Sequence, residues 1–453
     1  MMNKKIKSAA GSVSNYCLSN REILLQRSAA AFCIFAFVIT LIRSIVTAIT
    51  YDEAYTYLFF SRDNMLDPRF LWKLFSKEGC IANNHWLNSF LIFFVTKFIK
   101  TNYREFTYNE FMIRLPVLVM YVIFLLAVFQ NFRKKKISFT ILILMVGNYY
   151  LNEFYGLARG YGMANTFIFL LCMEYIDWKK SDFSEMKHLI FAMIYAVLAL
   201  LSNTIVLLLF PAVGLVCLYR LIQKKNLKLF FAKCWLAFVL FAGACLLMLV
   251  YHLNVTSEGK PLFTGDEAGF FECFVKGYVG MYLNNAGWVT AGAVTISVLA
   301  AISLVVVNKQ ILELDFSVMM IIFILLNLIM EHAMQKGYIV SRVLVPFCSF
   351  MVLAVSELFS SGWSITAEKT GRRLPANCGK IISALVCVFC LGLFMSKIEL
   401  RVTRDWGRDY KYRTYVDGMY MTGIPYEGPW HASIAFYTER DEDIIDAYMS
   451  YIR

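Results

Sequence analysis

Charge is scarce in this sequence. Only 17% of its 453 residues are Asp, Glu, Lys or Arg, against 59% that are apolar. Soluble domains run at about 25% charged and about 45–50% apolar. The shortfall excludes a cytoplasmic globular enzyme, a disordered chain and a collagen-like or coiled-coil rod. Internal repeats and low-complexity stretches are missing. So are a Gly-rich phosphate loop and any metal-ligand spacing, and His occurs only five times. The net charge is +12. No nucleic-acid motif accompanies it, and basic cytoplasmic loops of a polytopic membrane protein give the same total.

Long apolar runs are what the chain has instead. A spanning helix takes about 20 apolar residues. The first run is 29–50, preceded by Lys4, Lys5, Lys7, Arg21 and Arg27. It reads as a start-transfer anchor with residues 1–28 cytoplasmic. A cleaved signal peptide fits less well, because the positive region is long and Tyr51-Asp52-Glu53 follows directly. Further runs centre on 115–130, 138–151, 161–176, 188–203, 204–221, 229–251, 286–307, 316–331, 338–359 and 380–396. Alternating them from an inside N-terminus puts Arg133 to Lys136, Lys179, Lys180, Lys187, the stretch 220–228, Lys309, Lys369, Arg372 and Arg373 inside. The outside loops are then 51–114, 152–160, 252–285, 332–337 and everything from 397 on. The apolar stretch 87–98 is too short to span and reads as a helix along the outer surface.

The expectation is an all-α polytopic membrane protein. Residues 29–396 form a bundle of about eleven transmembrane helices, and 397–453 form a small extracytoplasmic domain. That tail carries turn signals at Gly423, Pro425, Gly428 and Pro429, a strand candidate at 432–437 and a capping box at Thr438 and Asp441. Most of the 12 cysteines fall in spans, where the Cys387/Cys390 pair reads as packing. Cys80 and Cys273 fall in outside loops, as a disulfide or as two free thiols. The sequon Asn254-Val255-Thr256 matters only in a eukaryotic secretory setting.

Ionisable groups at membrane depth are costly and are functional candidates by default. They gather at the outer helix ends: Tyr51-Asp52-Glu53 with Tyr55; Asn83, Asn84 and His85; Glu153; Arg159-Gly160-Tyr161; and Glu331, His332, Lys336, Tyr338 and Arg342. An outward-facing pocket of this kind offers a carboxylate as general base and arginines for a phosphate. Each has a plainer reading. The adjacent acids suit a solvated loop, Arg159 suits snorkelling at a helix end, and Arg342 suits a buried ion pair. His85 and His332 suit hydrogen-bonded structural roles, and neither has metal-ligand spacing. Arg43, inside the first run, suits snorkelling or a lipid phosphate.

The stretch Ile49-Thr50-Tyr51-Asp52-Glu53-Ala54-Tyr55-Thr56 resembles the Asp-Glu motif of membrane-embedded GT-C glycosyltransferases. That group includes protein O-mannosyltransferases and the aminoarabinose transferases that act on lipid A. Asn84-His85-Trp86-Leu87-Asn88 resembles the polar stretch that opens their juxtamembrane helix. Arg114-Leu115-Pro116 resembles the start of their next span, and Ala158-Arg159-Gly160-Tyr161-Gly162 their Arg-x-Tyr element. Tyr338 with Arg342-Val343-Leu344-Val345-Pro346 is similar to their late Arg-x-Leu-x-Pro element. The resemblance covers mainly 29–175 and, less fully, 330–350. It departs at Trp86, where family members often carry Pro.

The resemblance implies a sugar transferase of GT-C-like fold; the absence of an obvious retention signal and the compact tail favour a bacterial inner membrane over the endoplasmic reticulum. The donor is a polyprenyl-phosphate sugar, and the acceptor is a lipid, a glycan or a protein on the outer face. Asp52 is then the base of an inverting displacement. Glu53 and Glu153 orient the acceptor or stabilise developing charge. Arg159, Arg342 and Lys336 hold the donor phosphate. Tyr51, Tyr55, Asn84, His85, Tyr161, His332 and Tyr338 line the substrate site. No metal site is expected, no cofactor is obligatory, and a divalent cation is compatible with the scheme without being required. Three rivals stand beside it: a polymerase or ligase of whole lipid-linked oligosaccharides, a transporter or flippase, and a sensor or scaffold working through the tail.

Overall fold

The computed structural model describes residues 21–47, 49–57, 61, 66–75, 85–98, 106–257, 264–265, 270–283, 288–334, 338–339, 341–369, 376–398 and 400. Within them the chain is almost wholly helical. The first half holds α1 (Arg21–Val46), α2 (Tyr51–Thr56), α3 (Pro68–Phe75), α4 (Trp86–Phe98), α5 (Phe106–Arg133), α6 (Phe139–Val146), α7 (Tyr149–Tyr155) and α8 (Gly160–Lys180). The second holds α9 (Met186–Ser202), α10 (Phe210–Gln223), α11 (Leu227–Ser257), α12 (Gly277–Leu283), α13 (Trp288–Val307), α14 (Asp315–Met334), α15 (Cys348–Lys369) and α16 (Ala376–Ser396). A two-residue antiparallel pairing, Thr264 with Ile339 and Gly265 with Tyr338, is the sheet among the described residues.

Among the described residues, six helical segments are long and apolar enough to cross a membrane: Glu22–Val46, Glu110–Arg133, Thr204–Gln223, Leu227–Val255, Thr290–Val307 and Arg342–Glu368. Phe231, Trp235, Leu236, Leu240 and Leu246 on α11 are exposed, as are Ile296 and Leu299 on α13. Such apolar outer faces need hydrocarbon, not water, around them, so the chain is a multi-pass membrane protein.

Six of the eleven expected spans meet that length and apolarity among the described residues, and every expected run is helical in whole or part. The run 138–151 is cut in two. The Ser138 side chain accepts a bond from the Ile141 amide (3.2 Å) to cap α6, α6 stops at Gly147, and the Asn148 side chain caps α7 through the Leu151 amide (2.9 Å). The apolar parts of α9, α14 and α16 fall short of 18 residues. Helix α8 is the buried centre. It packs on α5 and α9, and it carries Asn165, Thr166, Glu174 and Asp177 within its length. The stretch 87–98 is α4, packed on α5, α8 and α9. Residues 1–20 and 401–453 lie outside the described residues, as do Cys80, Asn84 and Lys336.

The bundle has two chemically different ends. At one end, basic loops are tied down by acids. Lys179 Nζ reaches Asp315 (2.7 Å), Arg220 Nε donates to the same carboxylate (2.8 Å), Lys224 pairs with Asp182 (2.6 Å), and Lys136 pairs with Asp177. These bonds gather the ends of α5, α8 and α10 with the start of α14. The other end gathers the α1–α2 junction, the starts of α4 and α5, the α7–α8 turn, the end of α9 and the turn Ser341–Phe347. There α3 meets α11, where the Asn254 side chain donates to the Phe75 carbonyl (3.0 Å), and the Thr47 hydroxyl donates to the Leu400 carbonyl (3.1 Å).

This arrangement sets a topology test. In a cysteine-free background, Lys225→Cys at the basic end and Leu66→Cys beside α3 are both exposed positions. A membrane-impermeant thiol reagent is expected to label them from opposite faces of sealed vesicles. Labelling of both from one face would break the two-ended arrangement.

Candidate active site

Helix α2 starts where Thr50 and Glu53 form a capping box, the reciprocal Thr-x-x-Glu arrangement that satisfies two amides at a helix start. The Glu53 amide donates to the Thr50 hydroxyl (3.4 Å), and the Thr50 amide donates back to Glu53 Oε2 (2.9 Å). The carboxylate does more than cap. Arg114 grips it with two nitrogens, Nε to Oε1 (2.7 Å) and Nη2 to Oε2 (2.6 Å), and the Ala158 amide donates to Oε1 (2.6 Å). The third Arg114 nitrogen donates to the carbonyls of Ser44 (2.9 Å) and Thr47 (2.7 Å), the open end of α1. One turn earlier on α5, Glu110 accepts the Ile49 amide (3.0 Å). Glu53 and Arg114 are both wholly buried. The expected role of Glu53 toward the acceptor is therefore met by a carboxylate already committed to arginine and backbone.

Asp52, next in the chain, faces different partners. Its Oδ2 lies 2.9 Å from Arg342 Nη1 and 3.4 Å from Arg159 Nη2. Arg159 also donates through Nη1 to the Asp52 carbonyl (3.2 Å) and to the Thr56 hydroxyl (3.4 Å). The three side chains come from α2, the α7–α8 turn and the Ser341–Phe347 turn. Exposure is 3% for Asp52, 0% for Arg159 and 8% for Arg342. Arg159 sits just ahead of α8, its guanidinium 5.5 Å from the centre of the Tyr161 ring. The Arg342 turn is fixed through its neighbours. The Ser349 amide donates to the Asn165 side chain (3.0 Å), and the Tyr278 hydroxyl donates to the Leu344 carbonyl (3.5 Å).

Glu153 belongs to a separate pair. Arg43, from the last turn of α1, reaches it at 3.4 Å, donates to the Tyr149 hydroxyl (3.1 Å) and lies 5.1 Å from that ring's centre. Both ion-pair partners are buried, so Arg43 does not snorkel.

His85 closes the site from the α4 side. Its Nδ1 lies 3.1 Å from the Ser202 carbonyl oxygen. A carbonyl only accepts, so Nδ1 carries the proton. The ring stands edge-on to Tyr161, centres 4.8 Å apart. Burial and the neighbouring charge of Arg159 push the imidazole well below its usual range; Arg342 adds to this and the Ser202 bond opposes it. Gly160 permits this closeness, because a Cβ there would collide with the Ser202 carbonyl oxygen and lie 2.8 Å from His85 Cβ.

Of the remaining expected residues, Tyr51 and Tyr55 belong to α2, His332 to α14 and Tyr338 to the short pairing, but their side chains are not described. Asn84 and Lys336 lie outside the described residues. Arg114 and Glu110 are the residues that sequence reasoning missed. Their signal was the i, i+4 spacing of an acid and a base one turn inside an apolar helix.

Two expectations follow. Arg114→Gln strands the buried Glu53 carboxylate, and removing one partner of a buried pair costs about 3–5 kcal/mol. Thermal unfolding in detergent should register that loss, and a wild-type midpoint would show the pair to be dispensable. His85 gives a pH effect. Its folded form refuses a proton that the unfolded chain accepts below about pH 6.5. Acidification below that point therefore lowers stability, and His85→Gln should remove that part of the slope. An unchanged slope would place the titrating group elsewhere.

Compared with known proteins, the chain matches no family model, no curated protein and no solved structure.

Proposed function

We propose that this chain is a membrane glycosyltransferase that moves a monosaccharide from a polyprenyl-phosphate donor to an acceptor on the outer membrane face. The observation that carries the reading is the shared Asp52 oxygen. One buried carboxylate is held by two guanidiniums from segments 107 and 290 residues away in sequence. Two guanidiniums brought to one place can also take an anionic phosphate. Arginine suits this task through its paired donors.

The chemistry assigns each group a step. The donor phosphate takes bonds from Arg159 and Arg342 and loosens their hold on Asp52. The acceptor nucleophile gives its proton to Asp52 and attacks the anomeric carbon. The bond from that carbon to the phosphate oxygen breaks, and polyprenyl phosphate departs with the electron pair. Its charge is met by donors that are already in place. A single displacement inverts the anomeric configuration. Glu53 acts on this scheme by positioning Asp52, and Lys336 is a further candidate for the phosphate.

The positive-inside rule assigns the basic end to the cytoplasm and the Asp52 end to the outer face. That orientation gives a cytoplasmic N-terminus in a bacterial inner membrane and requires no nucleotide sugar. A transporter would concentrate its charges at the midplane of broken helices. The Asp52 and Glu53 ion pairs gather at helix ends and turns instead.

Asp52→Asn is expected to abolish sugar transfer from a labelled polyprenyl-phosphate monosaccharide while insertion and folding persist. Arg159→Ala and Arg342→Ala each lose charged hydrogen bonds worth about 1.5–3 kcal/mol, roughly ten- to a hundredfold in donor use. Full transfer by Asp52→Asn would remove it as base, and unaltered donor kinetics in both arginine variants would remove the phosphate assignment. Transfer from a polyprenyl-diphosphate oligosaccharide alone would favour the polymerase reading.

A further inference from the structure

Beside the two arginines lies a second group of polar atoms, all neutral and all without hydrogen-bond partners. His85 Nε2, Asn88 Oδ1 and Asn203 Nδ2 are each buried and unbonded. Their side chains are nevertheless held in place. His85 is fixed through Nδ1 to the Ser202 carbonyl (3.1 Å), Asn88 through its amide nitrogen to the Ala158 carbonyl (2.8 Å), and Asn203 through Oδ1 to the Ile205 amide (3.1 Å). The half of each side chain that the fold does not use is left over. An unmade buried hydrogen bond is costly, so three together mark a place where something else supplies the partners.

The three groups are neighbours. Asn88 follows His85 by one helical turn, and Asn203 follows the residue that His85 bonds. The cluster also adjoins the arginines. Asn88 bonds the carbonyl directly before Arg159, and the Tyr161 ring touches both His85 (4.8 Å between centres) and the Arg159 guanidinium (5.5 Å). With Nδ1 protonated, neutral His85 offers a lone pair at Nε2. Trp86 Nε1, between His85 and Asn88 in the chain, is likewise buried and unbonded, so these neighbours offer two acceptors and two donors, all neutral, the complement of hydroxyl groups.

We infer that His85 Nε2, Asn88 Oδ1 and Asn203 Nδ2 form a neutral subsite that reads ring hydroxyls of the transferred sugar next to the phosphate arginines. The inference rests on the donor reading above and adds to it a substrate class: an uncharged, hydroxyl-bearing sugar. The lowered basicity of His85 suits this role, since a protonated imidazole would offer no acceptor and would repel the arginines.

Two substitutions of His85 separate binding from anchoring. Asn keeps an amide near Nδ1, able to bond Ser202, and deletes Nε2. Gln places its amide near Nε2. A third variant, Asn203→Asp, keeps the oxygen that caps Ile205 and deletes the donor. The probes are decaprenyl methyl phosphate, which carries the phosphodiester charge without a sugar, and a panel of decaprenyl-phosphate monosaccharides. Binding is measured on the full chain in lipid nanodiscs.

The wild type is expected to bind at least one sugar ester more tightly than the methyl ester. His85→Asn and Asn203→Asp should each lose roughly tenfold on that sugar ester and nothing on the methyl ester. His85→Gln should keep most of the preference. The reverse order, with Asn harmless and Gln damaging, would make His85 an anchor for α9 and overturn the subsite. Equal wild-type binding of sugar and methyl esters would overturn it too, with water as the partner of these atoms, while leaving the phosphate reading standing. Binding of neither probe by a folded wild type would defeat the donor reading, and the subsite with it.

Discussion

The bidentate bond between Arg114 and Glu53 is the constraint on which the site depends. A guanidinium and a carboxylate buried apart would each cost several kcal/mol. Here the two neutralise each other, and their remaining bonding capacity is spent on backbone. Ser44 and Thr47 carbonyls at the end of α1, the Thr50 amide at the start of α2 and the Ala158 amide before α8 all converge on this one pair. The pair thus stitches the α1–α2 corner and the segment before α8 to α5. Asp52 is positioned as a consequence. Of two adjacent acids, one builds the corner and the other is turned toward Arg159 and Arg342.

The same logic operates at both ends of the bundle with different results. At the basic end, Asp315 receives Lys179 and Arg220, so three helices are locked by a shared acid. Lys179 is partly exposed there, and water screens the pair. At the Asp52 end the arginines are buried, and their charge persists undiluted. Asp315 and Arg220 are as buried as Asp52 and Arg342; the two clusters differ in their second cation, a partly exposed Lys179 at one end and a fully buried Arg159 at the other.

How much was legible in the sequence follows from which signals are local. The apolar runs found the helices, and their order brought Asp52, Arg159, His85 and the Arg342 turn to one end. Hydropathy could not see where a helix breaks. The run 138–151 is continuous in apolarity, yet Ser138, Gly147 and Asn148 cut it by capping chemistry, which a window average erases. Glu53 has two readings for a related reason. Read as half of an acidic pair it suggested catalysis; read with Thr50 three residues before, it is a capping box. Arg114 was noticed in a motif and given no task, because its partner lies 61 residues away and only the fold joins them.

The charge arithmetic of the proposed reaction explains why this composition and no larger one suffices. Before transfer, two guanidiniums face one ionised Asp52 and one phosphodiester, and the charges cancel. After it, Asp52 carries the acceptor's proton and the lipid phosphate has become a monoester with close to two negative charges, so they cancel again. Charge has moved from carboxylate to phosphate across a pair of arginines that need not move far. A third buried arginine would leave the site positive throughout, and in low dielectric that excess is costly. Arg43 and Arg114 are close by in the chain order of the site, and each is matched by its own glutamate. Those pairs leave Arg159 and Arg342 as the arginines that share Asp52 among the described residues.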